Sequence, residues 1–130
     1  MAKQFTLGKN ERLKSRKLIE QLFSDGKKFV ITPFRVIYRL DKNEQSFLQF
    51  GVGVSSKNFK KAVNRNRVKR IVKEAYRLQK NELQTKLKEQ LTRLNIFIIY
   101  TGKGLPEYRE VYTKMGMIMD KFKILLSEIK

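Results

Sequence analysis

The sequence predicts an α+β fold of one domain, residues 1–130, in which a small mixed β-sheet packs against helices in an α-β sandwich. Three observations support this prediction. The length of 130 residues suits one domain with a modest core. Stretches with the spacing of strands are interspersed with stretches whose apolar residues repeat at helical spacing. Their order predicts helix, three strands, helix, strand and helix, which is typical of helices covering one small sheet.

Before the first predicted helix, residues 1–14 carry basic and polar side chains with few apolar anchors, and we expect a mostly extended basic arm. Ser15 is a suitable N-cap and Gly26 a suitable C-terminal stop for the helix that follows. Its apolar residues at helical spacing are Leu18, Ile19, Leu22 and Phe23. The simplest interpretation of these four is a core-facing stripe.

Three strands are predicted next. Lys27–Ile31 is short and is interrupted at Thr32 and Pro33, which favours an edge strand or a bend because proline has no amide donor. Phe34–Leu40 has period-two alternation, with one apolar face and one mixed, basic face. The segment DKNEQS is a polar turn, and Phe47–Ser55 returns as a strand.

Within this third strand, GVGVSSK superficially suggests a phosphate-binding loop. It lacks the Gly-Lys-Ser/Thr of the P-loop and the glycine spacing of a dinucleotide fingerprint. Gly51 and Gly53 are better explained as small residues that allow close packing.

The remaining elements follow a basic segment at residues 57–80. Asn81–Leu94 keeps a helical pattern that either extends the basic helix or forms a second one. Ile96–Tyr100 is continuously apolar, as expected for a central strand covered on both faces. Pro106 suits the first turn of a last helix, Tyr108–Ile129, whose methionines are interpreted as core residues rather than metal ligands.

The basic segment combines two surfaces on one helix. Residues 57–73 contain eight Lys or Arg and no Asp or Glu. At about 100° per residue, an apolar stripe about 120° wide lies beside a polar, mainly basic arc about 140° wide. The stripe comprises Val68, Ile71, Val72, Ala75 and Leu78, and the arc comprises Arg65, Asn66, Lys69, Arg70, Lys73, Arg77 and Lys80, with Arg67 toward the other edge of the stripe.

A solvated helix face is the ordinary alternative for such a charge run. Solvated faces usually mix signs, so that acidic and basic residues four apart attract each other. Here Arg65, Lys69 and Lys73 repel one another, and a polyanion would offset that repulsion. The net charge of +18 indicates the same kind of partner, so nucleic acid is the leading interpretation.

Composition also excludes several classes of site. The chain has no cysteine for a disulfide or thiolate metal site, and it has no histidine for general-base catalysis. A metal-dependent protein nuclease would need clustered carboxylates, whereas the twelve acidic residues are scattered. The N-terminus does not resemble a signal peptide and no apolar run approaches the roughly 20 residues that span a bilayer, so we expect a soluble, cytoplasmic protein without a membrane partner.

The stretch AVNRNRVKRIVKEAYR, residues 62–77, closely resembles the Arg-Asn-Arg signature helix of the protein subunit of bacterial ribonuclease P. FGVGVS, residues 50–55, resembles the strand that precedes that helix in the family. The resemblance implies the same sandwich with a left-handed crossover through the basic helix. One departure is local, because Ser56–Lys60 is one residue longer than the corresponding family turn.

The resemblance implies a function in tRNA processing. The ribonucleoprotein removes the 5′ leader of precursor tRNA, its RNA subunit is the catalyst with Mg²⁺, and the protein has no catalytic residue. The implied partners are the catalytic RNA and precursor tRNA, with no stable protein partner required. A basic RNA-binding protein without catalytic function, such as a ribosomal protein, is the alternative that composition alone fits equally well.

Two sets of site residues follow from the same resemblance. The residues implied to bind the catalytic RNA are Lys61, Asn66, Arg67, Lys69, Arg70 and Lys73. The residues implied to line a cleft for the leader, between the signature helix and the sheet, are Ile19, Phe23, Phe34, Arg35, Ile37, Arg39 and Arg65. Ile19 and Phe23 therefore have a competing interpretation as core residues, and Ile37 stands where some members of the family have tyrosine.

Overall fold

The computed structural model describes residues 16–42 and 48–128. The predicted N-terminal arm, the Ser15 cap and most of the DKNEQS turn lie outside these residues. The elements are α1 (Arg16–Asp25), β1 (Lys27–Ile31), β2 (Phe34–Lys42), β3 (Leu48–Val54), α2 (Ala62–Gln79), α3 (Asn81–Gln90), β4 (Thr92–Tyr100) and α4 (Tyr108–Glu128). The predicted α+β class is confirmed, with one helix more than the predicted order contained.

The four strands form one mixed sheet in the order β1-β2-β4-β3. β2 pairs antiparallel with both β1 and β4, whereas β3 pairs parallel with β4. β1 is an edge strand, as the Thr32–Pro33 interruption indicated, and that peptide bond is cis. The parallel pair requires a crossover, which runs through α2 and α3; its hand stays a prediction.

Strand alternation gives the sheet two different faces. We call the face covered by α2, α3 and α4 the inner face, and the face that contacts α1 the outer face. Phe34, Val36 and Tyr38 of β2 belong to the large core on the inner face, whereas Ile37 packs under Leu22 of α1 on the outer face. No helix in the described segments is long and apolar enough to cross a membrane.

The sequence left open whether residues 81–94 continue the basic helix or form a second one. The structure shows a second helix, but the predicted end of this helix and the predicted start of the next strand were wrong. α3 is a separate helix that ends at Gln90, because Leu91 adopts a left-handed conformation (φ 50°) and donates its backbone N–H to Leu87 and Lys88. β4 therefore begins at Thr92, four residues before the predicted start at Ile96, and Leu94 lies in a strand rather than in a helix.

The apolar stripe of α2 also differs at one end. Val68, Val72 and Ala75 are buried as predicted, but Leu78 is 39% exposed. Tyr76 is buried instead, because its ring stacks on Phe50 of β3 with the centroids 3.8 Å apart. The buried stripe of α2 therefore ends with Tyr76, which packs on β3, and not with Leu78.

Candidate nucleic-acid interface

Most of the basic arc lies on the protein surface, but Lys80 at its C-terminal end is 0% exposed. Residues predicted to bind the catalytic RNA are exposed at the helix N-terminus and along the arc: Lys61, Asn66, Arg67, Arg70 and Lys73, with Lys69 half-buried. The first turn of α2 contains no acidic residue. The helix therefore uses its apolar stripe to cover the sheet while most of the predicted RNA-contact residues face solvent.

Glu74 marks the end of this basic surface. Arg77 donates from Nε to Oε2 of Glu74 at 3.2 Å and makes a second hydrogen bond to the same carboxylate. These hydrogen bonds hold the pKa of Glu74 below its ordinary value and raise the pKa of Arg77. Arg77 is thus paired within the helix, and the surface of uniform positive charge ends at Lys73.

An aromatic pair lies on the outer face, where α1 meets the sheet. Phe23 of α1 contacts Phe97 of β4 edge to face, with ring centroids 5.6 Å apart. Phe23 remains 42% exposed, so its interpretation as a core residue accounts only for the part of the side chain that is packed. Gly53 of β3 makes room for the second ring, because a Cβ at that position would lie 3.0 Å from two Phe97 ring carbons.

Three of the predicted leader-binding residues lie on the same face of the sheet as this pair. Ile19 is half-buried and packs against the small core formed by Leu22 and Ile37. Arg35 and Arg39 are exposed on the outer face, in the same row of β2. Arg39 Nε lies 3.3 Å from Oδ2 of Asp41, so part of its charge is already compensated.

Two of the predicted leader-binding residues are buried and offer no surface to an RNA strand. Phe34 is 0% exposed because it points to the inner face, where its ring contacts Tyr100. Ile37 is 1% exposed because α1 covers it. α2 packs on the inner face, whereas Arg35 and Arg39 lie on the outer face, so the structure does not bring the signature helix and these two arginines into one cleft; where the leader binds stays a prediction.

Arg65 closes the turn that leads into α2. Its Nη1 donates to the carbonyl oxygens of Phe59 at 2.7 Å and Lys60 at 2.9 Å. Within the same turn, the backbone N–H of Phe59 donates to the carbonyl oxygen of Ser55 at 3.1 Å, and the Phe59 side chain is buried. Arg65 therefore shapes the start of the helix, in addition to any contact that it makes with RNA.

Sequence reasoning missed Phe97 as a surface aromatic. Its position was interpreted only as part of a strand covered on both faces, yet Phe97 is half-buried and supports the exposed ring of Phe23. The available signal was the pair of glycines in β3, which implied that a large side chain from a neighbouring strand could lie across them.

Comparison with known proteins identifies the family. The family model for ribonuclease P matches residues 7–123. The ribonuclease P protein component of Porphyromonas gingivalis is 42% identical over 112 residues, covering 85% of this chain and 82% of the relative. That of Syntrophus aciditrophicus is 29% identical over 120 residues, covering 92% of both chains.

Solved structures agree with the fold. The ribonuclease P protein from Thermotoga maritima superposes with a TM-score of 0.65 at 25% identity, covering 85% of this chain and 96% of that one. A Staphylococcus aureus ribonuclease P protein gives a TM-score of 0.67 at 18% identity, with 87% and 95% coverage, and supports the fold alone. The ribosomal-protein alternative is not favoured, because the family model and these relatives match nearly the whole chain. The chain belongs to the ribonuclease P protein family.

Proposed function

We propose that the protein binds the catalytic RNA of ribonuclease P through α2 and the 5′ leader of precursor tRNA on its outer face, and so promotes removal of the leader. The observation that carries this proposal is the exposed basic surface of α2, in a helix whose first turn has no acidic residue, within a chain of the ribonuclease P protein family. We place this activity in the cytoplasm, and it requires no stable protein partner.

Contacts to the catalytic RNA would come from Lys61, Asn66, Arg67, Lys69, Arg70 and Lys73. A guanidinium group presents a planar fork of N–H donors that binds phosphate oxygens in bidentate fashion. Each phosphate that is neutralised also releases condensed counterions into solution, which favours binding at low salt. The like charges that repel one another along α2 would be compensated in the complex.

The leader would contact the Phe23–Phe97 pair, with Arg35 and Arg39 beside it. Single-stranded RNA binds well to surfaces that combine basic side chains with an exposed aromatic ring, because every base has a π-face that can stack. Such contacts have little sequence preference. This property suits a protein that must accept the leaders of many precursor tRNAs.

Catalysis is assigned to the RNA subunit. Within residues 16–42 and 48–128, no group of three or more acidic side chains comes together in a way that could hold a metal ion. Mg²⁺ binds oxygen ligands and usually keeps several waters, and phosphate groups of the RNA and substrate provide such ligands. In this proposal the protein residues bind and orient RNA, and none of them is assigned a bond-breaking step.

The experiment that tests this proposal measures affinity for a bacterial ribonuclease P RNA as a function of salt. Arg67→Ala and Arg70→Ala should each reduce the slope of log affinity against log salt by one contact, about 0.7 to 0.9. Arg109→Ala, an exposed arginine on α4, is the matched control and should leave the slope almost unchanged. An unchanged slope in both α2 variants would place the RNA-binding surface elsewhere.

A further inference from the structure

A cleft of about 520 Å³ lies at the β1 side of the sheet, where α1 and α4 end. Its volume is in the range of about 300 to 1,000 Å³ that is typical of sites for small molecules. β1 and β3 are opposite edges of the sheet, and α2 packs on β3 through Tyr76. The cleft is therefore separate from the basic surface of α2.

The strand register explains why the sheet is open at this point. β1 begins at Lys27, which is opposite Tyr38, so residues 39–42 of β2 extend beyond the start of β1. Leu40 of β2 and Leu125 of α4 are half-buried against the main core and also line the cleft. Together with the ring of Tyr38 they give the cleft an apolar lining.

Tyr38 brings a polar group into this apolar lining. The residue is only 7% exposed, and its ring contacts Phe122 at 5.1 Å and Phe29 at 5.8 Å between centroids. Within residues 16–42 and 48–128 its hydroxyl makes no hydrogen bond, yet the oxygen is not sealed from solvent. Burial raises the pKa of Tyr38, and no hydrogen bond contributes to this shift. A neutral hydroxyl, which can both donate and accept, is therefore available to a ligand in the cleft.

Two helix ends place negative charge around the same cleft. α1 ends at Asp25 and α4 ends at Glu128, and both carboxylates line the cleft. Neither helix has a basic residue in its last turn to offset the partial negative charge of a helix C-terminus. In the part of the chain that the structure describes, no cation lies within 4.0 Å of either carboxylate. A ligand cation would compensate both groups.

The cleft also contains two basic residues, of which one is already compensated. Arg39 Nε lies 3.3 Å from Oδ2 of Asp41. Lys27 forms no ion pair with a described residue and would repel a cation. The two carboxylates and the two helix ends outweigh this one ammonium group. The remaining positive charge of the protein matters less, because charges farther away than about 8 Å are largely screened at physiological salt.

We propose that this cleft binds a small amphipathic amine. The apolar body of the ligand lies against Leu40, Leu125 and the Tyr38 ring, and its ammonium group lies beside Asp25 and Glu128. The Tyr38 hydroxyl is the hydrogen-bond partner inside the cleft. An anion of the same size would meet two carboxylates and two helix C-termini, so it is excluded by charge. This site does not depend on the proposed function, because no RNA contact contributes to it.

The first test compares three probes that share a phenyl body and differ in charge. Phenethylamine, phenethyl alcohol and hydrocinnamate are titrated separately into the full-length protein, and backbone amide shifts are followed by NMR. We expect saturable shifts at Leu40 and Leu125, with phenethylamine bound more tightly than the alcohol and hydrocinnamate bound most weakly. Equal affinities for the three probes, or no shifts at these residues, would overturn the proposal.

The second test removes the two carboxylates. Asp25→Asn and Glu128→Gln should each weaken phenethylamine binding about twofold to fivefold, the size expected for an exposed ion pair. Combined, they should reduce the affinity for phenethylamine to that for the neutral alcohol. The matched control combines Glu107→Gln and Glu110→Gln, two exposed carboxylates that line a different cleft at the start of α4. An equal loss in this control would show a general charge effect and overturn the site.

Two further substitutions predict effects of opposite sign. Lys27→Gln removes the opposing ammonium group and should strengthen phenethylamine binding about twofold to fivefold. Tyr38→Phe keeps the packed ring and removes only the hydroxyl, so it should weaken phenethylamine binding while Tm stays close to that of wild type. If Lys27→Gln instead weakens phenethylamine binding, the assignment of the cleft to a cation is refuted. Unchanged affinity in Tyr38→Phe would refute the role of the hydroxyl.

Discussion

The ring of Phe23 meets the ring of Phe97 edge to face, with an interplanar angle of 70° and 5.6 Å between centroids. One part of Phe23 is therefore packed while another is open to solvent. We expect Phe23→Ala to weaken binding of precursor tRNA to the ribonucleoprotein by about 1 to 3 kcal/mol, the cost of one lost stacking contact. Binding of mature tRNA should be unchanged. The loss of the aromatic contact should lower the free energy of unfolding by only about 0.5 to 1.5 kcal/mol, in addition to the free energy lost with the buried part of the Phe23 side chain.

Tyr112→Ala is the matched control for this variant. Tyr112 is 41% exposed and contacts a second aromatic ring, Tyr108, at 5.9 Å, but it lies on α4. Tyr112→Ala should lower the free energy of unfolding by a similar amount, and it should not selectively weaken binding of precursor tRNA. If Phe23→Ala instead weakens binding of precursor and mature tRNA together and unfolds at a much lower temperature, Phe23 is a core residue and not part of the leader surface.

Arg65 should contribute to stability as well as to RNA binding. Arg65→Ala removes two hydrogen bonds from Nη1 to the Phe59 and Lys60 carbonyl oxygens. Hydrogen bonds to charged groups contribute about 1.5 to 3 kcal/mol, and we expect about 1 to 2 kcal/mol here because the turn is partly solvated. Urea unfolding measures the difference. Arg67→Ala, on the exposed side of the same helix, should stay within about 0.5 kcal/mol of wild type; equal stability of the two variants would contradict the role of Arg65.

A pH-dependent contribution to the stability of the folded protein is expected where α3 meets α4. Lys123 donates to Oε2 of Glu82 at 2.7 Å, and this hydrogen bond is the main cause that holds the pKa of Glu82 below its ordinary value. A carboxyl group whose pKa is lowered by folding stabilises the folded protein above its ordinary pKa of about 4.3, and this stabilisation is lost as pH falls. Glu82→Gln should therefore lower Tm slightly at neutral pH, and the difference should shrink below about pH 4.

Thermal unfolding at several pH values checks this expectation. Glu89→Gln, an exposed position on the same helix, is the control for the loss of one negative charge. A difference between Glu82→Gln and wild type that is the same at neutral and acidic pH would show that the ion pair does not contribute through its charge.

The strands and the basic helix could be predicted because each depends on local spacing. The alternation in β2 separated two faces correctly, and it could also have shown that Phe34 and Ile37 cannot line the same surface. The sequence could not reveal which face was open, because that depends on where α1 and α2 pack. The family resemblance supplied residue types for the site, and where the leader binds stays a prediction.

Long-range register explains what remained unpredicted. Phe97 lies across Gly53 only because β3 pairs parallel with β4, with Gly51 opposite Phe97 and Gly53 opposite Ile99. Similarly, the contact of Asn58 with Thr101 joins two loops that no local pattern connects. Such contacts depend on the assembled sheet, and period-two or helical spacing carries no information about them.

We propose that the RNA subunit carries the chemistry and that this protein supplies charge and shape. The most direct test mixes purified protein, a bacterial ribonuclease P RNA and a precursor tRNA at a magnesium concentration too low for the RNA to act alone. We expect the protein alone to cleave nothing and the mixture to remove the leader at the correct site, because basic side chains replace part of the cation screening that RNA needs. Correct cleavage of precursor tRNA by the protein without RNA would contradict this account.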